Sequence, residues 1–430
     1  MLEHYVKRIL SSRVYEIASE TPLSKAPLLS RRLGVDVSLK REDMQSIYSF
    51  KLRGAYNKMA SLSDQQKQAG VITASAGNHA QGVAISAQTL RMKASIVMGK
   101  NTPSIKVNAV RDRGAKVILH GDNYDEASVH ARALAEENDL TFVPPYDDID
   151  VIAGQGTIGM EIINQHEGPL DAIFIPVGGG GLIAGIAAYV KYLHPKTRII
   201  GVEAEGSACL QAAMTAGRRV KLPIEKLDLF ADGVSVAQIG QETFKVARHY
   251  VDDVVVVSVD EICAAIKDVF EDTRCISEPA GALSIAGMKR YLNQPHDMKA
   301  VAAIVSGANV NFDRLRHISE RAEFGESREA IFGVTVPEVQ GSFLKFCRAL
   351  GKRSITEFNY RRSDNNDAHI YVGLGIGSVQ DREETRLGLE AKGYRVLDMT
   401  DNEAAKVHVR HMVGGHRPGG GTEMLFRFEF

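Results

Sequence analysis

The sequence predicts an α/β protein: parallel sheets covered by helices, in two subdomains, followed by a smaller ferredoxin-like α+β module. Three observations predict it. Between residues 1 and 317, short apolar strands alternate with helical segments. Buried-type runs at 172–177 and 301–305 end abruptly in glycine or serine, as strand tips facing a cleft do. After Arg328 the order becomes strand, helix, strand, strand, helix, strand.

Taken in order, Met1 to Lys7 open an amphipathic first helix and lack the apolar core of a signal peptide. Residues 35–40 form a strand, and the polar stretch Lys40-Arg41-Glu42-Asp43 leads on to a helix at 51–62. Gly70 precedes a strand at 71–73. Helix 80–90, strand 94–98, helix 104–113, strand 115–119 and helix 124–138 then build a small α/β subdomain within about 40–150. Residues 141–145 are a strand broken by Pro144 and Pro145, and 152–157 lead into another helix. The larger subdomain takes strand 172–177, helix 182–193 and strands at 198–203, 254–259 and 301–305, so that the whole unit spans 1–320. The module at 329–413 holds strand 330–336, a helix start at 341–347, strands 355–360 and 368–373, helix 381–392 and strand 394–398. A glycine-rich linker follows from Gly414, and 424–430 alternates like a further opening strand.

Composition narrows the function. A chain of 430 residues holds two or three domains. With 52 Lys and Arg against 53 Asp and Glu, nothing attracts it to nucleic acid or an anionic membrane. Cys209, Cys263, Cys275 and Cys347 lack metal-ligand spacing and read as thiols of a reducing compartment, hence the cytoplasm. Residues 172–190 have the length of a membrane span, but Pro176 and four glycines divide them into strand, turn and helix.

Chemistry gathers at four stretches. Lys51, in Ser49-Phe50-Lys51-Leu52-Arg53-Gly54, is either a solvated charge or an amine desolvated in a pocket and able to form a Schiff base. Ser75-Ala76-Gly77-Asn78-His79 joins a strand to a helix; it is an ordinary turn, or a set of backbone N–H groups facing a carboxylate. Gly178-Gly179-Gly180-Gly181-Leu182 carries four glycines whose entropy a plain turn would not require, and it suits a phosphate at a helix N-terminus. Ser306, in Ser306-Gly307-Ala308-Asn309, closes an apolar strand.

In this combination and order, the four motifs resemble the fold-type II (tryptophan synthase β-like) pyridoxal-phosphate enzymes, and within them the threonine and serine dehydratases, most closely the biosynthetic threonine deaminases. The resemblance covers essentially the whole chain. It implies a pyridoxal 5'-phosphate cofactor held by Lys51, with Phe50 packed on its ring, Asn78 on its ring hydroxyl and Ser306 on its pyridine nitrogen. Gly178, Gly179, Gly180, Gly181 and Leu182 would donate N–H groups to the phosphate, and Ser75, Ala76, Gly77 and His79 would surround the substrate carboxylate. The implied reaction is β-elimination of water from L-threonine (also L-serine), giving 2-oxobutanoate and ammonia for isoleucine biosynthesis. The ferredoxin-like module resembles the ACT-like regulatory domain that binds isoleucine or valine, and the family implies a homotetramer. The long form has a second such repeat, which looks to be missing beyond its first strand at 424–430.

Some relatives bind a cation near the position of Glu203, but Cys209 stands where the acidic partner belongs, so no metal is expected. Glu278 reads as a cleft residue or a helix cap and stays outside the catalytic set. Serine racemase or a serine/threonine dehydratase of the same fold remains an alternative. From another class, a nicotinamide-dependent dehydrogenase would use G-x-G-x-x-A at 179–184, with Glu203 roughly 20 residues on as the ribose-binding acid. That scheme leaves Lys51 and the Ser75 loop without a role.

Overall fold

A computed structural model describes residues 1–325, 329–362, 367–376 and 379–402. The chain divides into two compact units, Met1–Ile318 and the part from Ser319 onward. The proposed extra strand at 424–430 lies outside the described residues.

The first unit holds two sheets. The larger has six strands in the spatial order Leu23–Lys25, Asp36–Arg41, Ala300–Val305, Ala172–Pro176, Arg198–Ala204, Asp253–Val257. All neighbours are parallel except the first pair. The smaller sheet is parallel throughout, in the order Lys116–Leu119, Ala94–Met98, Val71–Ala74, Thr141–Phe142. Its strand Val71–Ala74 is buried along its whole length, because helices cover both faces.

Four features depart from the sequence reading. The antiparallel edge strand Leu23–Lys25 is too short and polar to give a period-2 signal. The strand at 141–145 stops at Phe142, where the prolines remove ladder donors. The strand at 254–259 stops at Val257, because Ser258 caps the helix Val259–Thr273 through a reciprocal bond with Glu261. Residues 152–157 do not lead into a helix; they lie inside one, Ile149–Gln165. Its glycines serve close packing. A Cβ on Gly156 would come within 2.4 Å of Ile9, and one on Gly185, in the facing helix Gly181–Leu193, within 2.4 Å of the Ile152 carbonyl.

The uncharged stretch from Ala172 divides into the strand Ala172–Pro176 and the 13-residue helix Gly181–Leu193. Among the described residues, no helix is long and apolar enough to cross a membrane. In the second unit, four antiparallel strands lie in the order Ile355–Arg362, Asp367–Gly375, Glu329–Pro337, Arg395–Asp398. Phe332, Val334, Ile370 and Val372 of this sheet share an apolar core with Phe346 and Leu350 of helix Ser342–Leu350. This is the ferredoxin-like arrangement.

Candidate active site

Lys51 is the first residue of the helix Lys51–Ala60. The chain before it is tied to the tip of strand Ala300–Val305. The Phe50 amide donates to the Ser306 carbonyl at 3.2 Å, the Ala308 amide donates to the Tyr48 carbonyl at 2.9 Å, and Ser49 bridges Gly307. Tyr48 makes the turn with φ +56°, a left-handed conformation that a bulky residue adopts only where its surroundings enforce it. Lys51 and Ser306 therefore meet at one place. The Lys51 Nζ donates to the Pro145 carbonyl at 3.1 Å and stands 5.2 Å from the centre of the Phe50 ring. Burial lowers the amine to about 8, against the opposing charge of Glu278. A lysine in that range is a usable base and nucleophile.

The glycine loop faces the same cleft from the neighbouring strand. Gly180 has φ +89° and forms the N-cap of helix Gly181–Leu193, which has no side-chain cap. A Cβ on Gly179 would lie 2.2 Å from the Tyr146 ring, and one on Gly178 3.0 Å from Val234. Thr243 Oγ1 fixes the loop by donating to the Gly179 carbonyl at 2.8 Å. Leu182 is buried beneath it. An uncapped helix start with its dipole aimed at a glycine cradle favours an anion.

Asn78 opens the helix Asn78–Leu90, with Gly77 as N-cap. Ser75 Oγ accepts the Gly77 amide at 3.2 Å, and Ala76 packs on the core of the small lobe. A Cβ on Gly77 would meet nothing within 4 Å, so this turn is open towards the cleft. The His79 ring turns away: its buried Nε2–H donates to the Val143 carbonyl at 3.0 Å. Burial and the Lys51 charge push the ring down to about 3, so it stays neutral. Only the His79 backbone is left for a substrate. Ser306 Oγ makes a long bond, 3.2 Å, to the Ala280 carbonyl.

The structure adds Glu278. Its carboxylate does not cap the helix Pro279–Leu292. It accepts instead from Asn78 Nδ2 at 2.7 Å and from the Asn309 amide at 3.0 Å, and Asn309 Nδ2 donates to Asn78 Oδ1 at 2.7 Å. Burial, with Asp232 nearby, raises this carboxyl to about 7. The available signal was chemical: glutamate is a poor N-cap, so the carboxylate before Pro279 needed another use.

Glu203 is committed elsewhere. Its two oxygens accept the amides of Leu210 at 2.7 Å and Gln211 at 2.8 Å, fastening helix Cys209–Ala216. The Cys209 thiol, buried and raised by that burial, donates to the Gly178 carbonyl at 3.4 Å. Glu203 is fully buried beneath that helix and out of reach of a ribose, and the dinucleotide alternative loses its acid.

The residues present fit pyridoxal phosphate. A desolvated amine, a glycine turn at an uncapped helix start, an anchored amide and a lightly bonded hydroxyl lie at neighbouring strand tips, matching the cofactor's aldehyde, phosphate, ring hydroxyl and ring nitrogen.

Comparison with known proteins agrees. Residues 14–307 match the family described as "Pyridoxal-phosphate dependent enzyme", and 320–409 match the "C-terminal regulatory domain of Threonine dehydratase". The chain is 52% identical over 428 residues to the L-threonine dehydratase biosynthetic IlvA of Pasteurella multocida, covering 99% of this chain and 83% of that protein. It is 52% identical over 429 residues to the Escherichia coli protein of the same name, with 99% and 83% covered. The solved processed form of threonine deaminase isoform 2 from Solanum lycopersicum superposes with a TM-score of 0.73 at 50% identity, covering 75% of this chain and 93% of that one. The chain belongs to the biosynthetic L-threonine dehydratases, pyridoxal-phosphate-dependent ammonia-lyases with a C-terminal regulatory domain.

Proposed function

We propose that the unit at 1–320 deaminates L-threonine, and also L-serine, with Lys51 as its catalytic residue. One observation carries this reading: among the described residues, the depressed Lys51 amine donates to a backbone carbonyl and to no acid, where distant glycine- and serine-tipped loops come together. Bound pyridoxal phosphate supplies a conjugated ring that takes up the electrons of the broken Cα–H bond. Lys51 Nζ would hold the cofactor and would take the proton from the threonine α-carbon. The backbone of Ser75, Ala76, Gly77 and His79 orients the carboxylate at the helix N-terminus. Amides of Gly178, Gly179, Gly180, Gly181 and Leu182 hold the phosphate. Asn78 would hold the ring hydroxyl, Phe50 would pack on the ring, and the neutral Ser306 hydroxyl would serve its nitrogen.

The module at 329–413 takes isoleucine or valine as an effector of the other unit. The enzyme works in the cytoplasm as a homotetramer, at the committed step towards isoleucine. A serine racemase from Dictyostelium discoideum shares the fold at 31% identity and a TM-score of 0.67. The regulatory domain and the 52% relatives favour the dehydratase reading. Purified protein incubated with L-threonine should release a 2-keto acid and ammonia in equal amounts. D-serine formed from L-serine without keto acid would contradict it.

A further inference from the structure

Lys51 is the first residue of its helix, so the position of that helix against its neighbours sets where the amine stands. Its carbonyl is pressed from the front, where a Cβ on Gly82 would stand 3.2 Å away. From behind, the helix touches Ile149–Gln165 backbone to backbone: a Cβ on Gly154 would lie 2.7 Å from the Arg53 carbonyl. Beside that contact, Arg53 is completely buried.

Its guanidinium forks both ways. Nε and Nη2 donate to Glu42 at 2.8 and 2.7 Å. Nη1 donates to Thr157 Oγ1 at 3.0 Å and to Glu161, and Nη2 donates to Glu161 at 2.9 Å and to the Ser19 carbonyl at 3.2 Å. The anchors are chosen parts of the molecule. Glu42 follows directly on strand Asp36–Arg41, the parallel neighbour of the strand that leads to Ser306. Thr157 and Glu161 lie on the helix packed behind Gly181–Leu193, which begins at the glycine loop.

We infer that Arg53 is a positioning residue for Lys51, its double fork setting the register of the lysine-bearing helix against the Ser306 strand and the helix behind the phosphate loop. The inference rests on Lys51 being the reactive amine. An ammonium could keep the charge but not two bidentate contacts, so lysine is no substitute here. Lys40 is the natural control. It is equally buried and pairs with the same Glu161 at 2.6 Å, but its other partners, the Thr21 carbonyl and Gln165, are not on the Lys51 helix.

The test compares cofactor-loaded wild type, Arg53→Lys and Lys40→Met by thermal midpoint, kcat and KM, and the pH midpoint of the visible band of the bound cofactor. Peptide mass mapping of the wild type comes first; a cofactor fixed to a residue other than Lys51 defeats the parent reading, and this one with it. Arg53→Lys should lose about 10- to 100-fold in kcat with KM nearly unchanged, as misplaced reacting groups do, and its band should titrate at a shifted pH. Lys40→Met should lose at least as much thermal stability while keeping kcat within about threefold, because Glu161, the one partner it shares with Arg53, keeps both of its bonds to the guanidinium. If Arg53→Lys retains kcat and band midpoint, or if Lys40→Met changes them as much, the inference is overturned. Should Arg53→Lys fail to fold, Glu42→Gln, which keeps the shape of one fork and removes its charge, is judged by the same criteria.

Discussion

Two buried polar clusters flank Lys51, and they are built on opposite principles. Behind the lysine, Arg53 and Lys40 face Glu42 and Glu161, two cations against two anions with their donors and acceptors interlocked. Burial alone would raise the Glu42 carboxyl, but Arg53, Thr21 and Lys40 together hold it below its ordinary value. In front, Glu278 has only amides as described hydrogen-bond partners, and burial raises it to about 7. A matched cluster of charges costs desolvation on both sides and returns a fixed geometry. A carboxyl without a contacting cation instead keeps a proton close to neutrality, which suits a cleft where protons move. The rear cluster positions; the front cluster titrates.

That contrast can be broken at several points. The largest effect is expected at the glycine cradle: Gly179→Ala forces a methyl into the Tyr146 ring and should weaken cofactor binding about 100-fold or more, read by fluorescence titration of stripped protein. Next, Lys40→Met should cost about 2 kcal/mol in denaturant unfolding, less than orphaning a buried charge outright, because Glu161 keeps its bonds to Arg53. Glu278→Gln should lower kcat about tenfold by replacing one of the two acceptors that anchor Asn78 and Asn309 with a donor and by removing a titrating group. The smallest effect sharpens the comparison through pH. The folded-state pKa of Glu278, about 7 against an ordinary 4.5, is raised, so its stabilisation is complete below about pH 4.5 and is lost as pH rises through 7. Stripped wild type should therefore lose thermal midpoint relative to Glu278→Gln between about pH 5 and 8. Parallel curves would show that Glu278 does not titrate there.

The same contrast marks what sequence could reveal. Strand tips followed by Ser75, Gly178 and Ser306 were legible because apolar runs and small-residue loops are local signals, and so was the strand–helix order after Arg328. The rear cluster was not. Lys40-Arg41-Glu42-Asp43 reads as a polar stretch, but all four residues are buried; Arg41 and Asp43 pair with each other, whereas Lys40 and Glu42 find Glu161 and Arg53, which no local pattern connects to them. Gly154 and Gly156 read as a loop because a helix contact at backbone distance demands glycine just as a turn does. Glu278 was visible as a cleft residue or a helix cap, with nothing to choose between them, since its partners Asn78 and Asn309 come from distant strand tips.

The account stands on the covalent partner of the cofactor. Reducing the yellow holoenzyme with borohydride, digesting it and weighing the peptides tests this most directly. The cofactor mass should sit on the Lys51 peptide alone, and Lys51→Ala protein treated alike should carry none while retaining its thermal midpoint within a few degrees. A label on any other lysine, or a Lys51→Ala enzyme that still forms 2-keto acid from threonine at the parent rate, would contradict it.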